Sequence, residues 1–96
     1  MIVGVHHRHA PDFLAGLPCD FPGEAFAHVA DIEVQGEDDL LRLDAAFVLS
    51  QHLACPWPEH AEVTAFAARV RSTSVGDVLT LGERTFVVLP VGFRRL

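Results

Sequence analysis

One stretch of this 96-residue chain has the pattern of a long helix, and it constrains the whole fold. Residues 38–54 follow the chain-breaking Gly36, open with acids suited to a helix N-terminus and stop before Pro56. Asp38 or Asp39 is the predicted N-cap. Pro56 sets the limit because proline disfavours helical geometry in the residue before it.

Strand patterns flank this helix. Residues 2–6 are rich in β-branched side chains, which predicts a short first strand. The chain that follows, up to residue 25, is rich in proline and glycine and is predicted to be a covering loop. Residues 26–34 alternate like a half-buried strand, with His28 on the apolar side as a hydrogen-bonded core histidine. Residues 63–70 fit a helix or a strand equally well.

The last third of the chain predicts a hairpin over residues 78–89. Gly82-Glu83 is a Gly-X pair suited to a two-residue type II′ turn. The register that follows pairs Thr80 with Thr85 and Leu79 with Phe86. After Pro90, residues 91–95 form a last edge strand. Residues 1–96 are therefore predicted to form one small α+β domain, with one main helix packed on a mostly antiparallel sheet.

Composition excludes several classes of protein. The chain has 7 arginines and no lysine against 13 acids, a net charge of −6, and half of its residues are apolar. Such a chain is neither disordered nor a disulfide mini-protein. An acidic chain also lacks the basic surface that neutralises phosphates, which argues against nucleic-acid binding.

The charges are divided along the chain. Residues 26–64 contain eight acids and one arginine, whereas residues 65–96 contain five arginines and two acids. This split is compatible with contacts between copies, in which opposite faces meet, and with ordinary surface variation.

The predicted helix is apolar around most of its circumference. One stripe contains Leu40, Leu43, Phe47 and Ala54, and further apolar side chains are Leu41, Ala45, Val48, Leu49 and Leu53. A helix of this kind is normally packed against other parts of the protein on more than one face. In a domain of this size the second cover is predicted to be another subunit, which makes the protein a homo-oligomer.

Location and cofactors follow from what the sequence lacks. No segment approaches the length of an apolar membrane span, and the first residues do not have the pattern of a signal peptide. Cys19 and Cys55 are too few for a disulfide framework, so we expect reduced thiols, a cytoplasmic location and no membrane partner. No cofactor and no resident metal are expected.

Two groups of side chains raise the alternative of a small hydrolase. His6, His7 and His9 lie close together in the sequence, and two of them at strand spacing can chelate zinc or nickel. Either cysteine beside a histidine is a possible nucleophile. No complete metal or nucleophile motif accompanies them, so no catalytic residue is assigned.

Two further features are candidates for binding. Trp57 lies between two prolines and is either a partner anchor or a side chain that closes an edge of the core. The polar stretch that ends in Gly76 and Asp77 either binds an anionic group of a partner or forms hydrogen bonds with the backbone of its own loop. Its candidate binding residues are Arg71, Ser72, Thr73, Ser74 and Asp77.

This polar stretch also carries a resemblance to known proteins. Arg71–Val78 reads R-S-T-S-V-G-D-V, and Val91-Gly92-Phe93 follows near the end of the sequence. On these motifs, residues 26–96 resemble a family of small uncharacterised proteins from phages, plasmids and integrative elements. Its members have an Asn-His pair at the helix end where this chain has Gln51-His52. The resemblance implies a cytoplasmic accessory protein and transfers no catalytic activity.

The sequence therefore predicts a non-enzymatic protein-interaction module that forms homo-oligomers and binds an unidentified protein partner. The metal- or thiol-dependent hydrolase is one alternative. A second is an acidic decoy that mimics DNA, which draws on the acids of residues 26–64.

Overall fold

A computed structural model describes residues 1–9, 21, 26–52, 56–67 and 69–96 of the chain. These residues form six strands, one α-helix and a short 3-10 helix at Trp57–Glu59. Helix α1 spans Asp39–Leu49. The strands are β1 (Ile2–Arg8), β2 (Phe26–Glu33), β3 (Val63–Ala65), β4 (Val78–Leu81), β5 (Arg84–Val88) and β6 (Phe93–Arg95). Most of the predicted covering loop, both cysteines and the end of the predicted helix lie outside the described residues.

The strands form one antiparallel sheet in the order β3-β2-β1-β4-β5-β6. The predicted α+β class is confirmed, with one helix and a hairpin near the C-terminus. Thr80 pairs with Thr85 and Leu79 with Phe86, the register that the two-residue turn requires. Gly82 has a φ of +60°, which a glycine adopts without strain.

The first strand lies in the middle of the sheet. β1 pairs with β2 on one side and with β4 on the other, which buries its alternate residues Val3 and Val5 completely. Leu43 and Ala46 of α1 pack on this face and complete the core. The strand is longer than residues 2–6 because it is paired along both edges as far as His6 and along β2 as far as Arg8.

Helix α1 begins as predicted and ends earlier. The Asp38 side chain accepts a hydrogen bond from the Leu41 amide at 2.9 Å, so Asp38 is the N-cap. The helix ends at Leu49 rather than near 54. Ser50 donates its hydroxyl to the Phe47 carbonyl and accepts a backbone hydrogen bond from Thr73, which turns the chain away from the helix axis.

Residues 63–70, predicted as either helix or strand, and the predicted last strand, residues 91–95, each contain a short strand. Among the described residues of 63–70, which omit residue 68, only Val63–Ala65 form a strand, and this strand pairs with β2 at one edge of the sheet. The last strand covers Phe93–Arg95 rather than 91–95. The Leu89 amide bonds the Gly92 carbonyl at 3.0 Å, so the residues before Phe93 form a turn.

Candidate functional site

The centre of the predicted polar loop is an ion pair. Asp77 is completely buried, and the Arg71 guanidinium donates to both of its carboxylate oxygens, at 2.6 and 2.7 Å. The backbone amides of Ser74 and Arg8 donate to the same carboxylate, at 2.8 and 3.0 Å. The two-pronged group predicted to grip a partner's anion is therefore occupied by a carboxylate of its own chain.

The remaining hydroxyls of the loop join it to other elements. Thr73 is buried, and its hydroxyl hydrogen-bonds Nε2 of His7 on β1 at 2.9 Å. The Ser72 hydroxyl accepts a hydrogen bond from the His52 amide at 2.9 Å. Gln51 donates its amide to the Thr73 carbonyl at 2.8 Å. The loop thus locks the end of α1 to the sheet.

Trp57 is a core residue, the second of its two predicted interpretations. Its side chain is completely buried, and the indole Nε1–H donates to the Arg71 carbonyl at 2.8 Å. Its backbone amide donates to Nδ1 of His52 at 3.1 Å, while Nε2 of that ring bonds the Val70 carbonyl at 2.8 Å. Since a carbonyl only accepts, His52 is the neutral Nε2–H tautomer.

These contacts give three residues a role that the sequence pattern did not indicate. His7, Gln51 and His52 hold the polar loop in place together with Trp57. One sequence signal was present. The polar residues at the end of α1 did not gather on a solvent-facing side, as they do on an ordinary surface helix.

The histidines near the N-terminus do not converge on one point. His6 and His7 alternate along β1, and their Nε2 atoms lie 3.3 Å from the Thr80 hydroxyl and 2.9 Å from the Thr73 hydroxyl. His9 lies beyond the strand and is exposed. Within the described parts of the chain, no group of three His, Cys, Asp or Glu side chains could hold a metal ion.

Burial keeps two of these histidines neutral. Burial in the fold, together with the neighbouring His28, lowers the pKa of His6 to about 4, although Asp31 acts in the opposite direction. Burial also lowers the pKa of His7 to about 4, although the carboxylate of Asp77, 3.9 Å away, acts in the opposite direction.

His28 lies on the other face of the sheet, not in the core as predicted. It is exposed, its ring stacks on that of His6 at 4.5 Å between centroids, and its Nε2–H bonds Asp31 at 2.7 Å. The register of β1 and β2 shifts between Val5 and His6, so one extra residue of β2 is accommodated there. Such a bulge reverses the alternation, which moves His28 away from the core side.

Helix α1 presents large apolar side chains to solvent. Leu40, Leu41 and Val48 are 56%, 50% and 57% exposed. Leu41 and Val48 lie on the side of α1 opposite the buried Leu43 and Ala46, and Leu40 lies beside them at the edge of the buried side. We call Leu40, Leu41 and Val48 the outer apolar face of α1.

A groove of about 230 Å³ lies beside this face, between α1 and the chain that leads into β6. The rings of Phe47 and Phe93 meet across it at 6.3 Å between centroids. Its lining residues are Asp44, Phe47, Val75, Val88, Leu89, Pro90, Gly92 and Phe93. The outer apolar face and the groove form one predominantly apolar surface, with Asp44 between them.

Comparison with protein-family models, with curated proteins and with solved structures finds no match to this chain. The resemblance in residues 71–78 and 91–93 therefore stays a prediction. In the part of the chain that the structure describes, no helix is both long enough and apolar enough to cross a membrane.

Proposed function

We propose that this protein is a non-enzymatic interaction module that associates with a second copy of itself through the outer apolar face of α1. The observation that carries the proposal is the half or greater exposure of Leu40, Leu41 and Val48 on one side of one helix. Contiguous exposed apolar side chains of this kind mark interaction sites more often than isolated ones do.

Burying the outer apolar face of α1 lowers the free energy through the hydrophobic effect. Burying a large aliphatic side chain completely contributes about 1.5–3 kcal/mol, and about half of the surface of each of these three side chains is still exposed in the single chain. Covering all three therefore contributes a few kcal/mol, before the entropy lost on association is subtracted. This amount supports a weak, reversible association rather than a permanent complex.

The polar loop supports a structural role rather than the binding role considered for it. The Arg71 guanidinium donates its hydrogen bonds to Asp77, Ser74 and nearby backbone carbonyls, and Trp57 is buried. A partner contact through these groups requires breaking the ion pair that holds the loop. The apolar surface of α1 needs no such rearrangement.

The resemblance to phage, plasmid and integrative-element proteins supports an accessory role in the cytoplasm. A self-associating interaction module fits that role.

Sedimentation velocity from low to high micromolar concentration tests the proposal. We expect the wild-type protein to shift from monomer toward dimer, and Leu41→Lys to remain monomeric because its charge lies on the contact face. Ile2→Lys is the matched control, since Ile2 is 48% exposed and lies on β1 away from α1. A wild-type protein that stays monomeric at high micromolar concentration overturns the proposal.

A further inference from the structure

We propose that the contact is a two-fold dimer in which α1 of one copy lies against β6 and its preceding turn in the other. Asp44 of each copy then pairs with Arg95 of the other. This inference rests on the proposed self-association and names the surface and the charges that direct it.

The acidic half of the contact is Asp44. It lies four residues after Leu40 and four before Val48, so the three side chains follow one line along α1. Asp44 is exposed and lines the groove. In the described chain its carboxylate has no ion pair and no hydrogen bond. A carboxylate in the middle of an apolar line calls for a cationic group opposite it.

The basic half is Arg95. Phe93 and Arg95 are two residues apart on β6 and therefore project from the same face of the sheet. Phe93 lines the groove, so Arg95 lies on the groove side of the sheet edge. It is exposed, and its guanidinium has no partner among the described residues.

The other arginines near α1 already have carboxylates. Arg84 bonds Asp39 at 2.7 Å, and Arg42 bonds the same carboxylate at 3.3 Å. Asp44 thus lines the groove from α1, and Arg95 lies on the same face of β6 as Phe93, which lines it from the other side. Neither side chain has a partner among the described residues.

A two-fold axis along the groove pairs Asp44 and Arg95 in both copies at once. It places α1 of each copy opposite β6 and its preceding turn in the other copy, so that each contact is made twice. The outer apolar face of one α1 then covers the turn of the second copy, in which Val91 is 90% exposed.

Two other symmetric arrangements bring like charges together. Pairing α1 with α1 in antiparallel orientation across Leu40–Val48 sets Asp44 against its own copy at the centre. Pairing β6 with β6 edge to edge, in antiparallel orientation about its middle residue, sets Arg94 against Arg94. The helix-to-strand arrangement is the one that pairs opposite charges.

Charge reversal tests the pairing. We expect Asp44→Arg and Arg95→Glu each to weaken dimerisation by about tenfold or more, since two pairs are lost in each dimer. The double variant Asp44→Arg/Arg95→Glu restores both pairs and returns the dissociation constant to within a few-fold of wild type. Dimerisation is measured by sedimentation equilibrium, and far-UV circular dichroism checks that each variant is folded.

Arg94→Glu is the matched control. It makes the same change of charge one residue away, on the opposite face of β6, and we expect little effect on dimerisation. An equal effect of Arg94→Glu and Arg95→Glu, or a double variant as weak as the single ones, overturns the pairing. If Leu41→Lys still abolishes the dimer in that case, the self-association stands and only the two-fold arrangement fails.

Discussion

Arg71 and Asp77 form a two-pronged ion pair around a carboxylate that is completely shielded from solvent, with N–O distances of 2.6 and 2.7 Å. A buried charge is tolerated only where partners replace the water that it has lost. The guanidinium and two backbone amides replace that water here. The pair therefore holds together the loop, the first strand and the start of β4.

Removing one member of this pair should destabilise the fold severely. We expect Asp77→Asn to lower the free energy of unfolding by about 3 kcal/mol, because Arg71 is left without its carboxylate and the loop amides lose a charged acceptor. Urea denaturation measures the change. Glu83→Gln, at the exposed hairpin turn, is the control and should change stability by less than about 0.5 kcal/mol. A loss of that small size in Asp77→Asn would contradict a structural role for the pair.

The indole N–H of Trp57 contributes separately from its ring. We expect Trp57→Phe to cost about 1–3 kcal/mol, since the Arg71 carbonyl loses its donor, and Trp57→Ala to cost about 3–5 kcal/mol through the cavity it leaves. Thermal and urea unfolding of the two variants separate these effects. A Trp57→Phe variant as stable as the wild type would show that the hydrogen bond contributes nothing.

The stability of the protein should fall as the pH is lowered from about 6.5 to about 4. His6 and His7 stay neutral in the fold to about pH 4, whereas in the unfolded chain they take up protons near their ordinary pKa of 6.5. The unfolded state therefore binds more protons in this window. Each histidine adds up to about 1.4 kcal/mol per pH unit to the slope, and above pH 6.5 it adds nothing.

Urea unfolding at several pH values checks this slope. His7→Gln keeps a side chain that can hydrogen-bond Thr73 and removes one titrating group, so it should flatten the profile. His9→Gln, at an exposed side chain beyond β1, is the comparison and should leave the profile as in the wild type. Identical profiles for His7→Gln and the wild type would exclude His7 as a source of the acid sensitivity.

Gly4 is required by space and not by its backbone conformation. A Cβ at this position would clash with the Thr80 hydroxyl oxygen on the neighbouring strand. We expect Gly4→Ala to cost about 1–3 kcal/mol, because the Thr80 side chain or its strand must shift. The measurement is the urea midpoint.

The double variant Gly4→Ala/Thr80→Ala removes the obstructing oxygen and should recover most of that loss. Thr80→Ala alone is the control for the weak hydrogen bond to His6, which is 3.3 Å long. If the double variant is no more stable than Gly4→Ala, the contact with Thr80 is not the cause.

The elements that the sequence predicted well are those set by neighbouring residues. The hairpin register followed from one Gly-X turn, and the start of α1 followed from a capping aspartate. The prediction failed at the end of α1, where the competing hydrogen bonds come from Ser72 and Thr73, more than twenty residues further along the chain. It failed at His28 because a bulge depends on the pairing between two strands.

The sequence by itself determined the α+β class, the hairpin and the excess of apolar side chains on one helix, since each depends on periodicity or on a local turn. Only the tertiary structure decided what the polar loop does. Arg71 and Asp77 are six residues apart, and nothing local shows whether they face each other or a partner. Their burial against β1 and Trp57 decided it, because a carboxylate removed from water must be paired where it lies.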